Sequence, residues 1–589
     1  MIDVYHSDSM RPPVGRRISI RVALLLISVA ATSSLGCSEE PIRILKARAI
    51  YTMETEPNPA QAVAIRAGRI LAVGSEAEVE AIVGGRPHVV DTQFSDKILL
   101  PGFVDPHLHP TLAGTILQME IVSAMEWATP RGRTQAVRGR DNFLARLREL
   151  DHASSNPDEW LMVWGYHAPY HGMLTKSDLD AVSKRRPIMV WQRSVHEMYF
   201  NSRALLDLGM SESEFDSHPH ADWNTGHLWE TGTLSLGRPM MQKLASPTAY
   251  LDGLRMMIEV IHRGGLTTVG EQGFPQMSTW AEWVSLHFSM WRHDAPFRFV
   301  LVPNAMFLAM QEGTVADAVS AAEALLDRSS DRVRIVKHAK YYSDGAIFSQ
   351  LMQMSEPYLD GHQGAWMLEP ERQRELLDAF SRAGFDIHIH VNGDAGLDLV
   401  LDQIEAQRAA NLRAQLPPPR VVLEHYGYAR PDQHTRVREL SVEVSNNAYY
   451  AYELSPIYAD FGLGPERAAE ISPLGALALA GVPISLHSDF PMAPAEPLRL
   501  AWVAVNRIAS DGQVWGAHQK LERNLALRAI TIEAARSLGM EEEIGSIRAG
   551  KLADFTVLED DPYRVDAADL ADISIWGTIF EGVPHPLRE

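Results

Sequence analysis

Six residues of types that bind metals or move protons stand at the ends of short apolar runs. They are His107 and His109 in PGFVDPHLHP, Lys340 in KHAKYYSDG, His390 in HIHVNGD, His425 in LEHYG and Asp489 in HSDFP. In a β-strand residues i and i+2 share a face, so a strand over 99–108 aims His107 and His109 at one point. Neutral imidazole is the commonest metal ligand among side chains, which makes a metal the first hypothesis. A single pair also suits a surface turn. Six residues keeping the same register, each where a strand gives way to a loop, point instead to one site. His388 shares a face with His390 by the same spacing rule.

The elements needed to position them are legible in outline. Helical stretches such as 241–265 and 370–385 alternate with β-rich runs: LTTVGEQG, VRIVKHAKYYSDG, FDIHIHVNGD, RVVLEHYG and VPISLHSDFP. Helix followed by buried strand, repeated, predicts parallel βα units and an α/β fold. Eight such units make a barrel with its active site at the carboxyl ends of the strands. Residues 118–250, rich in Trp, His and Pro, form a long insertion that blurs the early units. Both ends of the mature chain read as strands, with a hairpin expected at Ala67-Gly68 in AVAIRAGRILAVG and further strands in GSIRAGKLADFTVLEDDP (545–562).

The chain has 589 residues, 46% hydrophobic and 22% charged, which suits a large packed core. Its 54 Lys plus Arg against 75 Asp plus Glu give a formal net charge of -21. That balance repels phosphate backbones and argues against nucleic acid as a partner. A single cysteine, Cys37, permits no intrachain disulfide. Arg16, Arg17 and Arg21 precede the apolar run 22–31 and TSSLGC follows, the layout of an export signal over 1–37. Cys37 behind small residues resembles a bacterial lipobox, with Ser34 where Leu is usual. Lipidation there would attach the protein to a membrane, and Ser38 rather than Asp after the cysteine then favours an outer-membrane destination; without lipidation the exported protein is periplasmic.

PGFVDPHLH, GLTTVGEQG (265–273), KYYSDGA, HVNGD, VVLEH, SDFP and GSIRAGKLADFTVLEDDP together resemble the amidohydrolase superfamily, and within it the amidohydrolase-3 branch of YtcJ-like enzymes. SVHEMYFNSRAL (194–205) resembles the branch's segment inside the insertion. The likeness runs from about 43 to 582. It implies a (β/α)8 TIM barrel over 101–544 with a small β-sandwich built from 42–100 and 545–585. It also implies His107, His109, His390 and His425 as metal ligands, Asp489 as ligand and proton shuttle, and Lys340 as a carbamate able to bridge two cations. Glu271 offers a rival bridge. With His196 and Trp164 it is also a candidate on the substrate side; His196 suits either a hydrogen bond to substrate or packing, and for Trp164 packing is the plainer role. Glu424 is expected to orient His425, and Asp344 and Asp394 to form turns.

Histidine and carboxylate donors suit a divalent metal, zinc first, with one or two ions. A bound ion makes hydroxide available near neutral pH. The expected reaction is hydrolysis of an amide-like carbon–nitrogen bond in a small molecule, of the N-substituted amide or formamide type, by that hydroxide. Asp489 takes the proton and then protonates the leaving nitrogen. Ester, lactone or carbamate hydrolysis at the same site is the first alternative, and ring deamination is a further one. A non-catalytic surface ligand-binding lipoprotein is the alternative from another class. Subunit number stays open, a homo-oligomer included.

Overall fold

The computed structural model describes residues 40–54, 58–244, 247–276 and 278–587. The expected export signal, with Cys37, lies outside them. The fold is α/β. One parallel sheet has the order Val333–Ile335, Arg298–Pro303, Leu266–Phe274, Phe103–Leu108; a second has His338–Tyr342, Asp386–Val391, Val421–His425, Glu443–Asn446, Ile484–Leu486. Parallel neighbours require crossovers, and helices such as Thr279–Arg292, Val315–Leu326, Pro370–Arg382 and Asp394–Ala414 supply them. Phe103–Leu108, Leu266–Phe274 and Arg298–Pro303 are buried along their whole length, as strands covered on both faces must be. The Asp394–Ala414 helix buries Leu397, Val400, Leu401 and Ile404, an i, i+3, i+4, i+7 stripe that seats it on the sheet.

The edges of the two sheets touch. Asn304 and Lys340 form an isolated parallel bridge. At the other edge the Asp489 amide donates to the His107 carbonyl at 2.8 Å, and the His109 amide to the Phe490 carbonyl at 2.9 Å.

Strands from both chain ends share one seven-stranded sheet, in the order Val583–Pro586, Ile575–Phe580, Phe555–Leu558, His88–Pro101, Ile42–Ile50, Ala60–Arg66, Arg69–Gly74. The hairpin falls where expected. Ala67 (φ 49°) and Gly68 (φ 71°) both take left-handed backbone, as a tight two-residue turn requires. The strand expected over 99–108 is instead two strands. His88–Pro101 belongs to the terminal sheet and Phe103–Leu108 to the parallel one. Gly102 makes the change of sheet at a point where a Cβ would lie 2.1 Å from Thr267 Oγ1, so only glycine lets the chains approach this closely.

The insertion builds a sheet of its own: Ala221–Asp222, His227–Trp229, Glu197–Phe200, Ile188–Gln192, Leu161–Tyr166, Glu120–Ile121. Its last three strands are parallel and the rest antiparallel. Val163, Tyr166 and Val190 of its strands pack with Phe143, Leu147 and Leu179 in one apolar cluster. Asn201 of the SVHEMYFNSRAL segment caps the Ser202–Asp207 helix by accepting from the Ala204 amide at 2.8 Å. The same oxygen accepts from the Ile188 amide at 3.0 Å. Asn201 therefore does structural work, holding the junction between the Glu197–Phe200 strand and the Ser202–Asp207 helix.

Candidate active site

The ends of the parallel strands bring five histidines, three carboxylates and a lysine into one buried cluster. His107 lies next to the end of the Phe103–Leu108 strand, and His109 follows (φ -125°, ψ 87°) before the Pro110–Ile116 helix. The i, i+2 relation therefore survives although His109 is outside the strand, and the two rings stand 5.1 Å apart. His107 Nδ1 is 2.8 Å from Glu424 Oε2, and His109 Nδ1 is 2.7 Å from Glu271 Oε1. Each imidazole donates its Nδ1 hydrogen to a carboxylate, which leaves Nε2 to face inward. Both Nε2 atoms converge on Asp489 Oδ1, at 3.5 Å from His107 and 3.3 Å from His109.

His425 joins through Nδ1, 3.8 Å from Asp489 Oδ2, and its ring lies 4.8 Å from that of His107 and 4.3 Å from that of His390. His390 Nε2 is 2.9 Å from Asn392 Nδ2. His388 meets the cluster through Glu424, with Nδ1 on Glu424 at 2.6 Å and Nε2 on His338 at 3.0 Å. Asp344 holds the loop after His390 by accepting from the Asn392 and Gly393 amides at 2.8 and 2.9 Å, the turn role expected of it. His425 (φ 74°) and Asp489 (φ 56°) both carry left-handed backbone. Such strain in non-glycine residues persists where the surroundings enforce it, and it gathers at functional sites.

Three residues were not singled out from sequence, or were given the wrong partner. His487, two before Asp489, stands 3.3 Å from His425 Nδ1 through its Nε2, with its ring 4.5 Å from His107. The i, i+2 rule that disclosed His107 and His109 also pairs His487 with Asp489. Asp105 fixes this end of the chain by accepting from Ser488 Oγ at 2.5 Å. Glu424 bridges His107 and His388, at 2.8 and 2.6 Å, rather than orienting His425.

Of the substrate-side expectations, His196 reaches the cluster, its ring 6.4 Å from that of His390. Trp164 does not. Fully buried, it packs edge-on against Trp127 at 5.2 Å with the Arg193 guanidinium over its face, which is core packing. Glu271 is 1% exposed and orients His109 instead of lining a pocket. Tyr450 gains a place beside the histidines, with its hydroxyl 3.2 Å from His425 Nδ1.

The electrostatics fit a divalent cation. Burial, then the charge of Lys340, holds His107 and His390 well below the usual imidazole value, and burial with its histidine neighbours does the same to His425. These rings are neutral, as ligation requires. Burial would also lower His109, but the Glu271 and Asp489 carboxylates outweigh it and lift that group to about 10. The same negative field that retains a proton on His109 Nε2 attracts a cation to it. Glu424 is raised by burial but held down at about 2 by Lys340 and His388. Lys340 is fully buried, and its Nζ has no hydrogen-bond partner among the described residues. Desolvation brings it down to about 8. Converging Nε2 atoms, carboxylates behind them and an unpartnered amine make a donor set suited to metal, with the outer carboxylates fixing each tautomer.

Residues 95–585 match the family described as amidohydrolase family. N-substituted formamide deformylase of Arthrobacter pascens is 26% identical over 552 residues, 91% of this chain and 96% of its own. The putative amidohydrolase YtcJ of Bacillus subtilis (strain 168) is 25% identical over 551 residues, 90% and 97% of the two chains. Among solved structures, an uncharacterized metal-dependent hydrolase from Pyrococcus horikoshii OT3 superposes with a TM-score of 0.67 at 20% identity, covering 89% of this chain and 99% of that one. This last likeness speaks to the fold.

Proposed function

Because this chain belongs to the amidohydrolase family, we propose that its substrate is an N-substituted formamide or a closely related N-substituted amide. The protein is a metal-dependent hydrolase acting on carbon–nitrogen bonds other than peptide bonds. The observation that carries the reading is the convergence of His107 Nε2 and His109 Nε2 on one Asp489 oxygen. The formamide class is supported by the Arthrobacter relative, which aligns over nearly its whole length.

His107, His109, His390, His425, Lys340 and Asp489 would hold the metal, zinc being the ion these donors suit, with one or two per chain. When bound, such an ion supplies an acidified water and polarises the scissile carbonyl. Asp489 does the proton work: a carboxylate oxygen accepts the proton of the attacking water and returns it to the departing nitrogen. Glu424 and Glu271 keep His107 and His109 in the tautomer that faces inward. The metal-loaded protein should release formate from N-alkyl and N-aryl formamides faster than it cleaves p-nitrophenyl esters, read by formate and amine assays. Turnover of esters alone would favour the ester, lactone or carbamate alternative.

Lys340 belongs in this reading as a carbamate. Its unprotonated nitrogen adds to carbon dioxide and loses a proton, giving an anion with two oxygens. A pKa brought down to about 8 leaves a useful share of free amine near neutrality. Lys340→Ala is expected to lower the metal count per chain below that of the wild type, measured by elemental analysis, with partial recovery in acetate. An unchanged count would remove the carbamate from the proposal.

The same reading takes the parallel strands as a closed (β/α)8 barrel over 101–544, with Val333–Ile335 and His338–Tyr342 as one interrupted strand. Its supports are the Asn304–Lys340 bridge and the Asp489–His107 and His109–Phe490 bonds. The terminal sheet is taken as the small β-sandwich of 42–100 and 545–585, supported by two separate apolar clusters, one around Phe94 and Phe555 and one around Val79 and Val83. Export and lipidation at Cys37 remain part of the proposal on sequence grounds alone.

A further inference from the structure

The insertion delivers to the site a histidine that is held from three directions. His196 Nδ1 is 2.7 Å from Glu230 Oε2. The His196 carbonyl accepts from the Glu230 amide at 2.8 Å and from Thr233 Oγ1 at 3.0 Å. Ring and backbone are thus both tied to the segment 230–233.

Each side of this tie carries unusual backbone. Val195 (φ 63°) immediately precedes the histidine, and Glu230 takes φ 43°. A β-branched residue in left-handed backbone is a genuine outlier, and strain of this kind persists only when surrounding contacts impose it. Here the Trp191 indole donates to the Val195 carbonyl at 2.9 Å, and the Val195 amide donates to Gln192 at 2.8 Å. Glu230 is buried completely at its side chain, and Oε1 has no hydrogen-bond partner among the described residues. A buried carboxylate with a spare oxygen is a costly way to hold a ring in place for packing alone.

What the arrangement produces is a fixed donor. With Nδ1 committed to Glu230, Nε2 makes none of the described hydrogen bonds, and the His196 side chain keeps 19% exposure beside His390. We propose that His196 is a catalytic residue that donates a hydrogen bond from Nε2 to the substrate carbonyl oxygen as negative charge develops on it, and that Glu230 is its positioning residue. The inference rests on the amide-hydrolase reading for the identity of that oxygen. It assigns the insertion a chemical task, and it favours substrates whose acceptor oxygen can sit between His196 and the histidine cluster.

The test uses the full, metal-loaded protein. His196→Gln should lower kcat by about 10²-fold, the loss typical of one oxyanion donor, with KM little changed and metal content by elemental analysis equal to wild type. Glu230→Gln keeps a hydrogen bond but removes the charge; it should cost less, and should cost nothing further in the His196→Gln background. Additive losses in the double variant would show that Glu230 does not act through His196. Loss of metal in His196→Gln, or a kcat within twofold of wild type, would overturn the donor role. A second readout does not depend on the formamide reading. Methylphosphonate, a tetrahedral oxyanion, should bind at least tenfold more weakly to His196→Gln by calorimetry, whether or not any formamide is turned over. Equal affinity, or no binding to the wild type, would also overturn the inference. Absence of formamide turnover with normal phosphonate discrimination would instead remove the substrate assignment and leave the dyad standing.

Discussion

Asp489→Asn is expected to reduce turnover by a factor of roughly 10² to 10⁴, the range spanned by a positioned general acid–base, while metal stays bound. Asparagine has the same shape as aspartate and keeps one oxygen that can ligate. It cannot take up a proton near neutral pH, so the hydrolytic water and the departing nitrogen lose their shared proton carrier. The pocket around it should hold, because its architecture does not depend on the Asp489 charge. His107 and His109 are set by Glu424 and Glu271 on their far sides, at 2.8 and 2.7 Å. The Asp489 backbone is tied to the His107 carbonyl. Steady-state kinetics and elemental analysis on the same preparation separate the two roles. Activity within tenfold of wild type would discard the shuttle. Loss of metal together with activity would reduce Asp489 to a ligand.

Much of this cluster was legible in the sequence, because a strand alternates its faces and parallel strands end on one side. Those two regularities bring out His107, His109, His425, Asp489 and the pair His388 and His390 from 23 histidines and 75 acids, and the choice of His390 rests on the likeness of HVNGD to the family's block. The same i, i+2 spacing applied once more pairs His487 with Asp489. What stayed hidden depends on contacts that no local pattern encodes. Glu230 meets His196 across 34 residues of chain, through a backbone bend at φ 43° that its own sequence does not announce. The insertion's sheet joins strands of two to six residues, too short for periodicity to rise above composition. Trp164 was ambiguous for a different reason: a large aromatic is equally at home in a core or a pocket, and only its neighbours Trp127 and Arg193 decide.

Arg193 leads to the largest expected effect on stability. Its guanidinium meets Glu453 side-on, Nε to Oε1 at 2.8 Å and Nη2 to Oε2, with neither side chain exposed. The pair joins the end of the Ile188–Gln192 strand to the Tyr449–Phe461 helix, across 260 residues. Trp127, Trp164 and Phe348 surround the guanidinium at 4.7 to 5.5 Å. Tyr170 adds a bond to the Glu453 carbonyl at 2.8 Å. Removing one member strands the other as a bare charge in an apolar shell. Arg193→Met and Glu453→Gln should therefore each cost about 3–5 kcal/mol, read as a lower urea midpoint. The combined Arg193→Met, Glu453→Leu variant should recover most of that loss, since no charge then remains buried. Single variants no less stable than the double would refute the coupling. Arg193 also sits three residues before His196, so loosening the pair should let that ring drift. A double variant with restored stability but reduced kcat would show that the ion pair aims the insertion at the site as well as holding it to the fold.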